Sequence, residues 1–560
     1  MFGDKKNINI LTSLLIAHGV RKAVVCPGSR NAPILHSLNE CDGMTCYPVT
    51  DERSAGFYAL GMSLADDNPV ALCVTSGTAL LNLAPAVAEA TYRHHGLVII
   101  SADRPSAWIG QLDGQTLHQP DAFGCLVCKS VNLPEPHDDV EYWHCNRLVN
   151  EALLAVRSAG RGSVHINVPI SEPLFRFNVE RLPVERVINK LSARLDVESF
   201  RQIVCGKLLS ASRPMLIVGQ LGKPSQAVED ALRRVSTSVA VLSEPLSDGT
   251  LRPFDLVLAS LDEDESLRPD FLLYVGDTVV SKRLKNFIRK SACTEIWAVT
   301  EDGDVHDTFM HMSGVVEGDT MEALQVLAKE LDARNEHGKS ENTEACRFAE
   351  LWNGRMEAVK RLINGYEPAY SQMAAVRMFE RSLQNVGYRR HVHYANSNAV
   401  RLACIYSRHY VWCNRGVNGI EGSVSTAAGF SLATDDVVFC VAGDLSFFYD
   451  QNALWNVDLK GNLRIILLNN NCGGIFYSLQ GLQDSGAFDR LVTARHDVTA
   501  QGICAQNGVD YHSARNLDEL RDGLSVLMTA DCARPILLEV FTDAEEDKWV
   551  MADFMKYIKE

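Results

Sequence analysis

Positive charge is scarce in this sequence. Its 560 residues hold 54 Lys and Arg against 70 Asp and Glu, a net charge of −16. A chain whose main partner is a nucleic acid or an anionic membrane needs a basic face, so neither partner is expected. A small anionic substrate remains open, because a site needs only a few local cations. Long apolar runs are missing too: no stretch reaches 18 residues, so no membrane-spanning helix is expected. The opening Met1-Phe2-Gly3-Asp4-Lys5-Lys6 lacks the apolar core of a secretory leader, and a cytoplasmic location is expected. Several catalytic patterns are absent. No G-x-G-x-x-G follows a strand, and no G-x-x-x-x-G-K-[ST], G-x-S-x-G or H-E-x-x-H occurs. These absences speak against a dinucleotide-binding Rossmann site, a P-loop NTPase, an α/β-hydrolase and a zincin.

Cysteine is plentiful, with 16 residues, but scattered. Cys26, Cys73, Cys404 and Cys440 stand in apolar, strand-like runs, as reduced core cysteines do. The single CxxC pair, Cys125 and Cys128, has no second Cys or His pair nearby to complete a zinc site. His391-Val392-His393 on a predicted strand reads as one buried and one exposed histidine rather than a metal pair.

Short β-branched runs alternate with helical patterns, the mark of parallel sheets covered by helices on both faces. In the first third the strands are expected at 22–26, 45–50, 70–75, 97–101 and 163–168. In the middle third they are expected at 214–219, 238–242, 271–276 and 294–300. In the last third they are expected at 391–395, 410–413, 437–442, 463–468 and 535–540. The pattern stops around 177–189, and residues 332–343 have a polar linker composition. The fold class is therefore α/β, with three domains over residues 1–182, 183–346 and 347–560.

The strongest chemical signal is Val441-Ala442-Gly443-Asp444-Leu445-Ser446. It is followed, with twenty-five residues between Asp444 and Asn470, by Leu468-Asn469-Asn470-Asn471-Cys472-Gly473-Gly474. Both segments end apolar strands, so in a parallel sheet both side chains emerge at the carboxyl edge, where open α/β sheets bind ligands. Turn Asp and Asn residues are common at strand ends. A carboxylate beside an amide oxygen is also the hard donor set that Mg²⁺ takes when phosphates complete its shell.

That spacing resembles the thiamine-diphosphate-binding motif, a Gly-Asp pair followed about thirty residues later by Asn. The resemblance implies a metal site formed by Asp444, Asn470 and the carbonyl of Cys472, suited to Mg²⁺ and also to Mn²⁺. The family also uses an N-terminal glutamate against the aminopyrimidine ring. Thr50-Asp51-Glu52-Arg53-Ser54-Ala55-Gly56 looks like that site, with Glu52 the acid–base residue. The implied layout is a pyrimidine-binding domain, a middle domain and a diphosphate-binding domain. It further implies a homodimer or dimer of dimers whose active sites lie between subunits.

Val25–Pro33, Thr75-Ser76-Gly77-Thr78-Ala79, Ser101-Ala102-Asp103-Arg104-Pro105 and Asn414–Gly422 narrow the resemblance. Together with Leu445 in the metal motif, they are similar to the 2-succinyl-5-enolpyruvyl-6-hydroxy-3-cyclohexene-1-carboxylate synthases of menaquinone biosynthesis. The implied reaction decarboxylates 2-oxoglutarate and adds the resulting carbanion to isochorismate in a 1,4-addition. Both substrates are carboxylates, which suits arginine forks. The resemblance places Ser29, Arg30, Arg104, Gln115, Lys282, Arg401 and Arg415 around them. Ser397 and Ser446 would approach the diphosphate, Ile420 would prop the cofactor, and Ile475 and Phe476 would line the cavity. Two rival readings stay open: an acetolactate synthase or 2-oxo-acid decarboxylase type of thiamine enzyme, and an inactive thiamine-fold binding or regulatory subunit.

Overall fold

A computed structural model describes residues 1–157, 162–190, 195–261, 264–291, 294–336, 343–479 and 481–559. Three parallel sheets carry the chain. The first has six strands, in spatial order Thr45–Pro48, Lys22–Val25, Val70–Val74, Leu97–Asp103, Val164–Pro169 and Lys129–Asn132. The second has five: Ala240–Ser243, Pro214–Val218, Phe271–Val275, Glu295–Thr300 and Met312–Glu317. The third has six: Val411–Trp412, Arg390–Tyr394, Val437–Gly443, Leu463–Asn469, Ile536–Phe541 and Asp510–Ala514. The central strands are buried along their whole length, which is why they read as unbroken apolar runs such as Val70-Ala71-Leu72-Cys73-Val74.

The first and third sheets share one topology. In each, the chain-order strands lie as second, first, third, fourth, sixth, fifth. Strand order reverses between the first and third strands of each set, and that reversal opens a crevice at the carboxyl edge. In the third sheet it falls between Arg390–Tyr394 and Val437–Gly443. In the first it falls between Lys22–Val25 and Val70–Val74.

Helix Glu52–Asp66 from the first unit crosses helix Ser423–Ala433 from the third at their small residues. A Cβ on Gly61 would lie 2.0 Å from the Thr426 carbonyl oxygen, and one on Gly429 would lie 2.3 Å from that of Tyr58. Only glycine permits such an approach. Tyr58 then donates to the Ala453 carbonyl at 2.6 Å, and one apolar core runs through both units.

Every expected strand is present to within two residues at either end. The structure adds Phe2–Gly3, Phe177–Val179, Lys129–Asn132, Met312–Glu317 and Asp510–Ala514. Phe2–Gly3 and Phe177–Val179 form a small antiparallel pair, so strand structure continues into the stretch read as patternless. Helix Thr320–Glu336 runs through the first residues of the expected linker, because Asp332 and Arg334 are anchored by Arg234 and the Leu209 carbonyl. Residues 337–342 of that linker lie outside the described residues. Cys404 sits on helix Asn398–Tyr406 rather than a strand, since its apolar neighbours fall at helical spacing. His393 is buried as expected, but His391 is half-buried rather than exposed, because residues two apart on a strand share a face: both rings pack on Phe430, and His391 bonds Asp436 at 3.1 Å.

Candidate active site

Strand Val437–Gly443 delivers Asp444 to the carboxyl edge, 4% exposed. Its Oδ1 accepts from the Leu445 backbone N–H at 2.7 Å. Its Oδ2 accepts from the N–H groups of Asn470 and Cys472, both at 3.1 Å. The neighbouring strand pairs Gly443 with Leu468, which sets Asn470 just past the same edge. The Asn470 Nδ2 donates to Asp547 at 3.0 Å, and the Thr542 hydroxyl holds that carboxylate at 2.8 Å. This orients the amide so that Oδ1 meets only the weak thiol donor of Cys472, at 3.9 Å. Asn471 adopts a left-handed φ of 63°, turning the chain so that Cys472 follows. A Cβ on Gly474 would lie 2.6 Å from Asn470 Nδ2 and would displace that amide.

One carboxylate, one under-used amide oxygen and a turn carbonyl make an all-oxygen donor set. Among the described residues no group of three His, Cys, Asp or Glu side chains is arranged to hold a metal. A hard divalent cation at this turn would complete its shell with phosphate and water oxygens, as Mg²⁺ commonly does. The residues fit that role.

Across the crevice, Ser397 sits at the head of helix Asn398–Tyr406 with φ 72°. Asn396 beside it is a hub: its Nδ2 donates to the carbonyls of Asn414 at 2.5 Å and Gly419 at 2.8 Å. Its Oδ1 accepts from Arg415 Nη1 at 3.0 Å. The buried Glu89, from the first unit, accepts from the N–H groups of Gly416 at 2.9 Å and Val417 at 2.7 Å. Thr278, from the middle unit, donates to the Arg415 carbonyl at 3.0 Å. The Arg415–Val417 turn is thus held by all three units. Ile420, on the same turn, is 40% exposed, unusual for an isoleucine in a fixed turn. Ser446 is buried two residues after Asp444.

The first unit presents a second group. A Cβ on Gly28 would lie 2.4 Å from Thr75 Cβ, so the turn carrying Ser29 and Arg30 lies hard against the Thr75–Ala79 segment. Arg30 is buried, donates to the Ile170 carbonyl at 3.1 Å and pairs with Glu172 at 3.1 Å. Arg104 pairs with Asp113 at 3.0 Å and donates to the Gly114 carbonyl at 3.1 Å. Gln115 follows with φ 54°, its backbone resting on Gly77. Glu52 opens helix Glu52–Asp66, half-buried. Its neighbours anchor it: Asp51 caps the helix through the Ser54 N–H at 3.2 Å and accepts from Asn452 at 2.7 Å, while Arg53 donates to the Tyr449 carbonyl at 2.7 Å. Those contacts bind the Glu52 turn to the far end of the short helix that Asp444 begins.

Lys282, Arg401 and Ile475 meet in a cleft of about 440 Å³ that also exposes Asn398 and Arg283. Glu244 accepts from the N–H groups of Val280 at 2.7 Å and Ser281 at 2.9 Å, fixing the segment that presents Lys282. Burial pushes the Glu244 carboxyl up to about 7, against the pull of those bonds and of Arg415. Arg401 is lowered by desolvation and by the charge of Arg415. Ser29, Arg30, Arg104, Gln115 and Phe476 do not line this cleft.

Residues 7–124 match the family model described as thiamine pyrophosphate enzyme, N-terminal TPP binding domain, and residues 396–540 match its C-terminal TPP binding domain. Over the whole chain and the whole of the relative, the sequence is 42% identical to a 2-succinyl-5-enolpyruvyl-6-hydroxy-3-cyclohexene-1-carboxylate synthase of Bacteroides thetaiotaomicron. A Porphyromonas gingivalis protein of the same name is 34% identical over 100% of this chain and 98% of its own. The chain belongs to this synthase family.

Within the family reading, Glu52, Ser397, Asp444 and Asn470 stand on the two matched domains and Lys282 on the segment between them. Sequence reasoning missed Asn396, Glu89 and Asp547, each of which positions an expected site residue. Asn396 carried a signal, since it stands at a strand end beside Ser397. Glu89 carried none, because its partners are backbone groups 327 and 328 residues away. His496 was missed as well. Its Nδ1 accepts from the Val498 N–H at 3.2 Å, and its Nε2 lies 3.5 Å from Asp444 Oδ2.

Proposed function

We propose that this chain catalyses the decarboxylation of 2-oxoglutarate and its 1,4-addition to isochorismate, giving 2-succinyl-5-enolpyruvyl-6-hydroxy-3-cyclohexene-1-carboxylate. Thiamine diphosphate, when bound, supplies the carbanion chemistry. Asp444, Asn470 and the Cys472 carbonyl hold Mg²⁺, or Mn²⁺, with Ser397 and Ser446 beside the diphosphate. Glu52 moves a proton at the aminopyrimidine ring, and Ile420 supports the cofactor from the opposite turn. Ser29, Arg30, Arg104, Gln115, Lys282, Arg401 and Arg415 bind the carboxylates, and Ile475 and Phe476 line the substrate cavity. The working unit is a homodimer or dimer of dimers in the cytoplasm. Its domains are residues 1–182 for the pyrimidine, 183–346 in the middle, and 347–560 for diphosphate and metal.

The observation that carries this reading is the oxygen set at Asp444 and Asn470, lying at the sheet reversal beside a cleft lined by Lys282 and Arg401. Thiamine diphosphate with Mg²⁺ should raise the melting temperature, and EDTA should reverse the rise. The loaded enzyme should then release CO₂ from 2-oxoglutarate and consume isochorismate. Turnover of pyruvate instead would point to an acetolactate-type enzyme. No thermal shift and no turnover would point to an inactive thiamine-fold protein.

A further inference from the structure

A second cavity, of about 310 Å³, opens where helices Gln372–Leu383 and Asn398–Tyr406 meet the end of helix Thr343–Gly365. Arg377, Arg381 and Arg408 all line it. Two carboxylates serve this cluster. Arg377 forks onto both oxygens of Glu367, Nη1 to Oε2 and Nη2 to Oε1 at 2.6 Å, and Arg381 reaches the same Oε1 at 3.3 Å. Arg408 donates to the neutral amide oxygen of Asn364 at 2.8 Å, and among the described residues no carboxylate pairs with it. The one carboxylate on the cavity wall, Glu380, is already taken up by the Tyr394 and Ser407 hydroxyls at 2.6 Å and by His409 at 3.0 Å. Tyr406, also on the wall, is 7% exposed, and its hydroxyl is buried without a hydrogen-bond partner. Arg381 and Arg408 are exposed at the mouth, whereas Arg377 and the unpaired Tyr406 hydroxyl are buried, and a buried hydroxyl without a partner is costly unless something fills the space beside it.

We propose that this cavity is a second binding site, for a small multiply charged oxyanion. Guanidinium forks match both carboxylate and phosphate oxygens, and the Tyr406 hydroxyl adds a directional donor. The site is separate from the proposed active-site cleft but built on the same two helices. Gln372, Met373 and Arg401 face the cleft, whereas Arg377, Arg381 and Tyr406 face the cavity. Ile405 contributes to both walls.

The test uses the full-length protein saturated with thiamine diphosphate and Mg²⁺, so that the cofactor pocket does not compete. Inorganic phosphate and succinate are titrated separately by calorimetry, and their relative affinities identify the preferred oxyanion. At least one should bind, with affinity falling tenfold or more in the Arg381→Ala/Arg408→Ala double variant and unaffected in Lys282→Ala. Tyr406→Phe removes no charge; it should weaken binding several-fold while leaving the melting temperature of the anion-free protein unchanged or higher. The proposal is overturned if neither anion binds, if the double variant binds as the wild type does, or if Lys282→Ala abolishes binding. Unchanged affinity in Tyr406→Phe would remove the hydroxyl from the site and reduce it to a charged surface.

Discussion

Asp444 is held by three backbone N–H groups, so its carboxylate is fixed in one orientation. Among the described residues Glu52 has no such fixing bonds of its own; its neighbours Asp51 and Arg53 are pinned instead. Glu52→Gln keeps the shape and removes the proton that the proposed role requires. Turnover should fall by roughly 10²–10⁴-fold, the usual worth of a positioned acid–base group. Mg²⁺-dependent cofactor affinity, read by thermal shift, should hardly change, and unaltered turnover would take Glu52 out of this role. Arg415 differs, because Asn396 orients its guanidinium while its Nε stays buried and unpartnered. Arg415→Ala should raise the KM for a carboxylate substrate by about 10- to 100-fold, as loss of a charged hydrogen bond would. Steady-state kinetics with each substrate varied in turn would check this; an unchanged KM with lost stability would make Arg415 a structural ion. Asp444 and Asn470 were legible as a pair at one sheet edge, because their strand ends are local signals. Asn396 stood at a strand end, but its bonds to the Asn414 and Gly419 carbonyls did not show, and Glu89 left no signal because what it holds is distant backbone.

Strands buried on both sides were all legible, and so were the edges Thr45–Pro48, Ala240–Ser243 and Val411–Trp412. The strands missed within the three large sheets, Lys129–Asn132, Met312–Glu317 and Asp510–Ala514, are all sheet edges. An edge strand exposes one side, so polar residues interrupt its run, as in Asp510-Tyr511-His512-Ser513-Ala514. The crossing of helices Glu52–Asp66 and Ser423–Ala433 was likewise only hinted at by small residues. That crossing makes a sharp prediction. A Cβ at Gly61 meets backbone at 2.0 Å and 2.8 Å, which cannot rotate away. Gly61→Ala should destabilise by at least ~1–3 kcal/mol despite the better helix propensity of alanine. Gly354, exposed on helix Thr343–Gly365 with nothing within 4 Å of its Cβ position, is the control. Gly354→Ala should stabilise by about 0.5–1 kcal/mol. Urea denaturation of both variants would show opposite signs; two stabilised variants would mean the crossing is looser than the glycines require.

At the scale of the whole molecule, the shared topology of the first and third sheets left no trace in the sequence, because strand order is a property of tertiary pairing. The seam beside the helix crossing also governs how stability responds to pH. Asp450 is 1% exposed and accepts from the Ser425 N–H at 2.7 Å and hydroxyl at 2.6 Å. Desolvation pushes its carboxyl up to about 7, although the Ser425 bonds oppose this. An ordinary unfolded aspartate titrates near ~3.9. The fold therefore favours the protonated form, and this contribution is complete below about pH 4 and lost as pH rises to about 7. Buried histidines act in the opposite sense over much of the same range. Burial lowers His165 to about 4 and holds His393 well below its ordinary value, so each loses stability as pH falls. The wild-type curve thus superimposes opposing slopes, and its flatness or steepness says little about Asp450 alone. Asp450→Asn removes one titration and leaves the histidines in place. Relative to wild type, the variant should gain on the order of a few kcal/mol between pH 4 and pH 7, and the difference should be level above that. Urea midpoints of the cofactor-free protein at pH 5 and pH 8 measure it, and an equal difference at both would mean that Asp450 does not titrate in this window.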